Sequence, residues 1–187
     1  MSLTVDNTPP TPEASEPFTP RAEYPRPILV RDQWQSLNGP WSFRVDPDNR
    51  GVTDAWFDGP WTDAQTITVP FSMESAASGI AEAEGAAVVW YQREVIKSEV
   101  WHSRIVLRVG ASDFLTRVFV NRQEVGQHRG GYASFGLDIE HALMPGRNRI
   151  TIRVEDSLSW TQPRGKHAGT TRWPIEYAGV TGIWQSV

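Results

Sequence analysis

Arg104-Ile105-Val106-Leu107-Arg108-Val109, followed after Gly110-Ala111-Ser112-Asp113 by Thr116-Arg117-Val118-Phe119-Val120, is the stretch whose reading decides the fold. Both runs are rich in β-branched residues and have strand length. They are too short for a stable helix and are punctuated by a glycine-containing turn. They are predicted to be neighbouring antiparallel strands.

Reading outward gives more of the same. Towards the N-terminus, Val88 to Val95 is dense in β-branched and aromatic residues, Ile67-Thr68-Val69 is a short strand stopped by Pro70, and Trp41-Ser42-Phe43-Arg44-Val45 alternates strictly. Between them, Asp46-Pro47-Asp48-Asn49-Arg50-Gly51 supplies turn chemistry. Ala76 to Ala87 is alanine-rich, but Gly79 and Gly85 favour a loop with at most one helical turn. Towards the C-terminus, Asn121 to Gly126 reads as a turn, Tyr132 to Ile139 as an extended stretch and Pro145 to Asn148 as a tight reversal. In Arg149 to Val154, Ile150, Ile152 and Val154 face the core. Trp41, Phe43, Trp90 and Phe119 lie within strand patterns and are expected in the core. Asn121 and Gly126 are expected as backbone devices of a hairpin, and Asp138 as the cap of a short turn from His141 to Leu143. Many short strands without a helix-spaced stripe predict an all-β sandwich or barrel.

Residues 1–27 hold seven of the 14 prolines and are predicted to form an extended arm, leaving 28–187 as one domain. The net charge of −4 gives no reason to expect a nucleic-acid partner. There is no cysteine and only four scattered histidines, so no disulfide, structural metal or cofactor is expected. Neither a signal peptide nor a membrane span is visible, which makes the cytoplasm the default location.

The blocks Leu37-Asn38-Gly39-Pro40-Trp41-Ser42-Phe43, Val69-Pro70-Phe71, Trp90-Tyr91-Gln92-Arg93, Val118-Phe119-Val120-Asn121, Val125-Gly126-Gln127-His128 and Gly131-Tyr132 come in a telling order. They continue through Phe135, Asp138-Ile139, Val154-Glu155-Asp156, Gln162-Pro163-Arg164-Gly165-Lys166 and Thr181-Gly182-Ile183-Trp184-Gln185-Ser186-Val187. The series, from about Arg26 onward, resembles the N-terminal sugar-binding domain of glycoside hydrolase family 2, the β-galactosidase and β-glucuronidase superfamily.

The resemblance implies a jelly-roll β-sandwich similar to galactose-binding domains, followed in whole enzymes by an immunoglobulin-like domain and a catalytic barrel. It also implies that the two catalytic glutamates belong to the barrel. Retaining hydrolysis needs two carboxyl groups about 5–5.5 Å apart, and no spacing in this sequence favours such a pair. The chain alone is therefore expected to be inactive, with no catalytic residue of its own. The apolar stretch from Gly182 to Val187 suggests that further domains follow in the parent protein.

By motif position, Glu176, six residues before Gly182, corresponds to the family's acceptor for sugar hydroxyls. Many members carry Asp there, so Glu adds a methylene. Glu74 and Ser75 lie in the segment after Val69-Pro70 that approaches the same pocket. Trp160 and Trp173 fall in a loop-like stretch and could stack on a sugar ring or cover the sandwich. The expected partners are the terminal sugar of a β-glycoside and the parent's other domains. A free-standing carbohydrate-binding module or lectin of the same fold is the alternative.

Overall fold

The computed structural model describes residues 19–25, 30–82, 86–101, 104–157, 162–163 and 179–187. Among them are ten strands: β1 Gly39–Val45, β2 Gln65–Val69, β3 Val88–Lys97, β4 Val106–Val109, β5 Ser112–Asp113, β6 Leu115–Val120, β7 Gln123–Arg129, β8 Phe135–Asp138, β9 Gly146–Glu155 and β10 Gly182–Ile183. The only helical pieces among the described residues are 3₁₀ turns at Ala76–Ser78 and Glu140–Ala142. No described helix is long and apolar enough to cross a membrane.

Six strands form an antiparallel sheet in the order β2-β1-β3-β9-β6-β7, and the pairs β4-β8 and β5-β10 make up the opposing layer. The result is the all-β sandwich. The central pair, β3 and β9, runs in unbroken register from Val88↔Glu155 to Lys97↔Gly146.

Strand alternation divides the apolar residues between two clusters. Trp41, Phe43, Ile67, Val69, Val89, Tyr91, Val118, Val120, Ile150, Ile152 and Val154 point between the layers and meet Leu107, Ile139 and Ile183 from the opposing side. Val88, Trp90 and Phe119 point the other way, where Val52, Trp56, Phe57 and Trp61 cover them. The middle of β3 therefore reads as a continuous apolar run because both faces of its sheet are buried.

Asp46 holds the covering segment in place. Its buried carboxylate accepts the amides of Arg50 and Gly51, both at 2.8 Å, and the Trp90 indole N–H at 2.9 Å. A Cβ at Gly51 would sit 2.6 Å from that indole, so only glycine lets the turn pass over Trp90. Arg44 then stacks between Trp56 and Trp61, 5.1 Å from each ring, and pairs with Asp63.

Four expectations need correction. The runs at Arg104–Val109 and Thr116–Val120 are not neighbours, because β4 pairs with β8 in one layer while β6 pairs with β7 and β9 in the other. Alternation shows which face of a strand is buried, not which strand lies beside it. The intervening residues cross the sandwich, and Ser112–Asp113 pairs with β10 on the way.

The Asn121–Gly126 turn is shorter than expected. Asn121, at φ 55°, and Arg122 reverse the chain, and β7 begins at Gln123. Gly126 lies within β7 next to a register shift, where a Cβ would come 2.8 Å from the Leu137 side chain. Likewise Asn148 belongs to β9 rather than to the reversal. Its buried amide closes that reversal by bonding Met144 at both the amide and the carbonyl, the Gly146 carbonyl and the Asn121 side chain.

The short turn runs over Glu140–Ala142 rather than from His141 to Leu143, and its N-cap is Ile139 and not Asp138, whose carboxylate accepts the Glu140 amide at 3.2 Å and pairs with Arg104 at 2.8 Å. Of the N-terminal arm, Pro20 and Arg21 are tied to the sandwich through their carbonyls, both of which accept from Asn38 Nδ2.

Replacing Asp46 by Ala strands three donors, two of them in the turn over Trp90. We expect Asp46→Ala to lower the unfolding free energy by about 3 kcal/mol. Urea denaturation monitored by tryptophan fluorescence checks this, and a loss below about 1 kcal/mol contradicts the anchoring role.

Candidate functional site

The chain leaves β2 through Pro70 and turns back on itself, with Ser75 N–H bonded to the Ser72 carbonyl and Glu82 N–H to the Met73 carbonyl. Met73 is buried in the core and pins this turn. Its neighbour Glu74 faces the start of β10, where Oε1 accepts the Thr181 amide at 2.9 Å. Ser75 is the N-cap of the first 3₁₀ turn, its hydroxyl accepting the Ala77 amide at 3.3 Å. Both candidates from this segment thus lie at one end of the sandwich. Glu74 is turned inward onto the backbone, and Ser75 is occupied as a cap.

Other polar groups converge there. Thr181 is buried, and its hydroxyl bonds Asp156 Oδ2 at 3.4 Å. Asp156 Oδ1 accepts from the Gln162 side-chain amide. Asp113 pairs through its backbone with Gly182, while its side chain is only 7% exposed and lies directly beneath Gly131. The Tyr91 hydroxyl, at the centre of the core, accepts the Ile183 amide at 3.3 Å. A Cβ at Gly182 would sit 2.1 Å from that oxygen, and Gly182 has φ 85°, so space and backbone both demand glycine.

Three carboxylates share this end, and their electrostatics follow. Burial, reinforced by the negative charges of Asp156 and Glu74, pushes the Asp113 carboxyl up to about 6. Burial also raises Glu74, although the Thr181 and Ser72 hydroxyls and nearby backbone amides pull partly against it. The buried Tyr91 phenol is raised, mainly by desolvation and further by the charge of Glu74. Asp113 Oδ1 and Glu74 Oε2 are buried without a hydrogen bond of their own.

Among the described residues no group of three or more His, Asp or Glu side chains is placed to hold a metal ion. The cluster works instead as a clamp. The chain departs after Asp156 and Ser157 and returns at Gly179–Thr181, and Asp156, Gln162, Thr181 and Glu74 bond these two roots together. Glu176, Trp160 and Trp173 belong to the intervening segment and lie outside the described residues.

Sequence reading missed the roles of Asp113 and Tyr91. Asp113 reads as a turn residue and Tyr91 as one more strand aromatic, because their partners in 181–183 are distant in sequence. Asp156 carried a usable signal: it sits where the alternation of β9 stops and a long polar segment begins.

A sandwich of two antiparallel β-layers is of the jelly-roll class. The family model described as "Glycosyl hydrolases family 2, sugar binding domain" matches residues 34–187, and the chain belongs to that family. A β-glucuronidase of Paenibacillus borealis is 36% identical over 146 residues, covering 76% of this chain and 24% of its own length. The Homo sapiens β-glucuronidase is 36% identical over 152 residues, covering 74% of this chain and 23% of that protein.

Among solved structures, an uncultured Clostridium sp. β-glucuronidase superposes with a TM-score of 0.61 at 29% identity, over 71% of this chain and 24% of that one. A Ruminococcus gnavus β-glucuronidase in complex with a C6-substituted uronic isofagomine gives a TM-score of 0.68 at 24% identity, over 84% of this chain and 29% of that one, which supports the fold. The chain thus spans about a quarter of the length of the curated relatives it matches. These relatives are β-glucuronidases, and they give no support to a β-galactosidase in particular.

Because the folded-state pKa of Asp113 lies above its unfolded value near 3.8, its contribution to stability is full below about pH 4 and is lost as pH rises through about 6. We expect Asp113→Asn to flatten this part of the stability profile and to gain on the order of 2 kcal/mol over the parent chain at pH 7. Urea unfolding at a series of pH values measures it. An unchanged profile, or a variant less stable at pH 7, contradicts the buried-carboxyl account.

Proposed function

We propose that this chain is the sugar-holding part of a β-glucuronidase-like enzyme, gripping the terminal sugar of a β-glycoside at the mouth of a catalytic barrel while breaking no bond itself. The observation that carries this reading is the carboxylate clamp, which fixes both roots of the segment bearing Glu176. A sugar-contacting loop needs such a base, because a carboxylate aimed at ring hydroxyls loses its value if its backbone drifts by an ångström.

By its place six residues before Gly182, Glu176 accepts hydrogen bonds from hydroxyls of the terminal sugar, and Trp160 and Trp173 supply apolar faces for the ring. Glu74 and Ser75 then act by shaping the pocket floor. The names of the relatives suggest a glucuronide as substrate. A uronate would have to turn its hydroxyls toward Glu176 and its own carboxylate away, since two unscreened carboxylates repel.

Two carboxylates at this end of the sandwich fit a non-catalytic role. Glu74 is committed to the Thr181 amide and Asp113 is enclosed, so neither stands open beside a glycosidic oxygen. The 187-residue chain should therefore release no chromophore from a p-nitrophenyl β-glucuronide. Turnover that copurifies with the chain and disappears in Glu74→Gln or Asp156→Asn would overturn this assignment.

In the full-length parent enzyme, Glu176→Gln keeps the shape but removes the charge. Charge-assisted hydrogen bonds contribute roughly 1.5–3 kcal/mol, so kcat/KM should fall about tenfold to a hundredfold while Tm stays within about one degree. An unaltered kcat/KM on the natural substrate rules out the role given to Glu176.

A further inference from the structure

Away from the carboxylate clamp, a groove of about 1210 Å³ runs between the N-terminal arm, β4 and the 185–187 stretch. Its charge is opposite in sign to that of the whole chain. Five cations, Arg21, Arg31, Lys97, Arg104 and Arg108, line it against only Glu23 and Asp32, whereas the chain carries a net −4. Of the five, only Arg104 makes an ion pair among the described residues, with Asp138 outside the groove.

The walls between these charges are aromatic. Tyr24 and Trp34 meet edge to face at 5.0 Å, and Trp34 remains 39% exposed. Across the groove Tyr132 is 59% exposed and is held edge to face against Trp184 at 6.2 Å. Exposed rings that rest edge to face on a second aromatic present an apolar platform of the kind a sugar ring packs on. Side-chain amides of Gln33, Gln35 and Gln185 stand beside them as hydroxyl partners.

We propose that this groove is a second carbohydrate site, taking an oligosaccharide that carries carboxylates along its length. Each feature selects for part of that ligand. The rings select for pyranose faces, the amides for hydroxyls, and the unpaired guanidinium groups for carboxylates, which they can grip in a bidentate manner. The volume exceeds the roughly 300–1,000 Å³ of a site for a drug-sized molecule, which suits a chain of sugars rather than a single one. The proposal is independent of the terminal-sugar role given to Glu176, because Glu74, Asp113, Asp156 and Thr181 are not among the residues lining the groove.

The test is isothermal titration of the 187-residue chain with an α-1,4-linked galacturonic acid hexamer and with its fully methyl-esterified form. The two probes share one sugar backbone, and the second carries neutral methyl esters in place of the carboxylates. The charged hexamer should bind at least tenfold more tightly than the ester at low salt, and the gap should narrow in 0.5 M salt, where the Debye length falls to about 4 Å. Arg31→Gln with Arg108→Gln should bring the charged hexamer down to the ester's affinity, and Trp34→Ala should weaken both ligands severalfold. Arg122→Gln, an exposed change outside the groove, should change neither. Equal binding of the two hexamers, or no binding of either, overturns the proposal. A hexaglutamate peptide that binds as tightly as the charged hexamer also overturns it, because the groove would then be an anion patch that does not recognise sugar.

Discussion

The segment from Thr181 to Val187 is the piece on which the rest of the molecule closes. Its amides at Ile183 and Val187 donate to Tyr91 Oη and Asn38 Oδ1, while its carbonyls at Ser186 and Val187 accept from Gly110 and Leu37. Asn38 adds a bond from Nδ2 to the Ser186 hydroxyl. One short stretch therefore joins the start of β1, the crossing between β4 and β5, and the core of the main sheet. The close fit of Gly182 on the Tyr91 hydroxyl fixes where it sits.

That constraint links fold to site. The same segment begins at Thr181, whose amide and hydroxyl are taken by Glu74 and Asp156, so packing along β10 sets the position of the clamp. The cost is electrostatic. Three carboxylates are drawn into one end of a sandwich, and the buried Asp113 is held far above its usual range. Such a cluster would be wasteful in a purely structural domain, where apolar side chains could fill the same space. It is intelligible if the loop rooted there has to be held in one place.

Strands were largely legible in the sequence, and the pairing of strands was not. Trp41-Ser42-Phe43-Arg44-Val45 and Arg149 to Val154 declare a buried face by alternation, and Pro70 and Asn121 mark strand ends through backbone chemistry that is local. The partner of Val106–Val109 is Phe135–Asp138, and nothing in either run encodes the other. The two faces of β3 were also hidden, since Val88, Val89, Trp90 and Tyr91 look alike in sequence yet serve separate clusters. At the candidate site, Glu74 was found through the motif after Val69-Pro70. Asp113 and Tyr91 could be found only in three dimensions, because their partners lie in the distant segment 181–183.

The central claim is that the end of the sandwich marked by Glu74, Asp156 and Thr181 is the end that meets sugar. Amide chemical-shift mapping of the ¹⁵N-labelled chain during titration with methyl β-D-glucuronide tests it most directly, with binding in the millimolar range worth about 4 kcal/mol. The account predicts saturable shifts at the amides of Thr181, Gly182 and the Ser72–Ser75 turn, with the β6-β7 edge unmoved. Saturable shifts confined to other parts of the sandwich, with Thr181 and its neighbours silent, would contradict it.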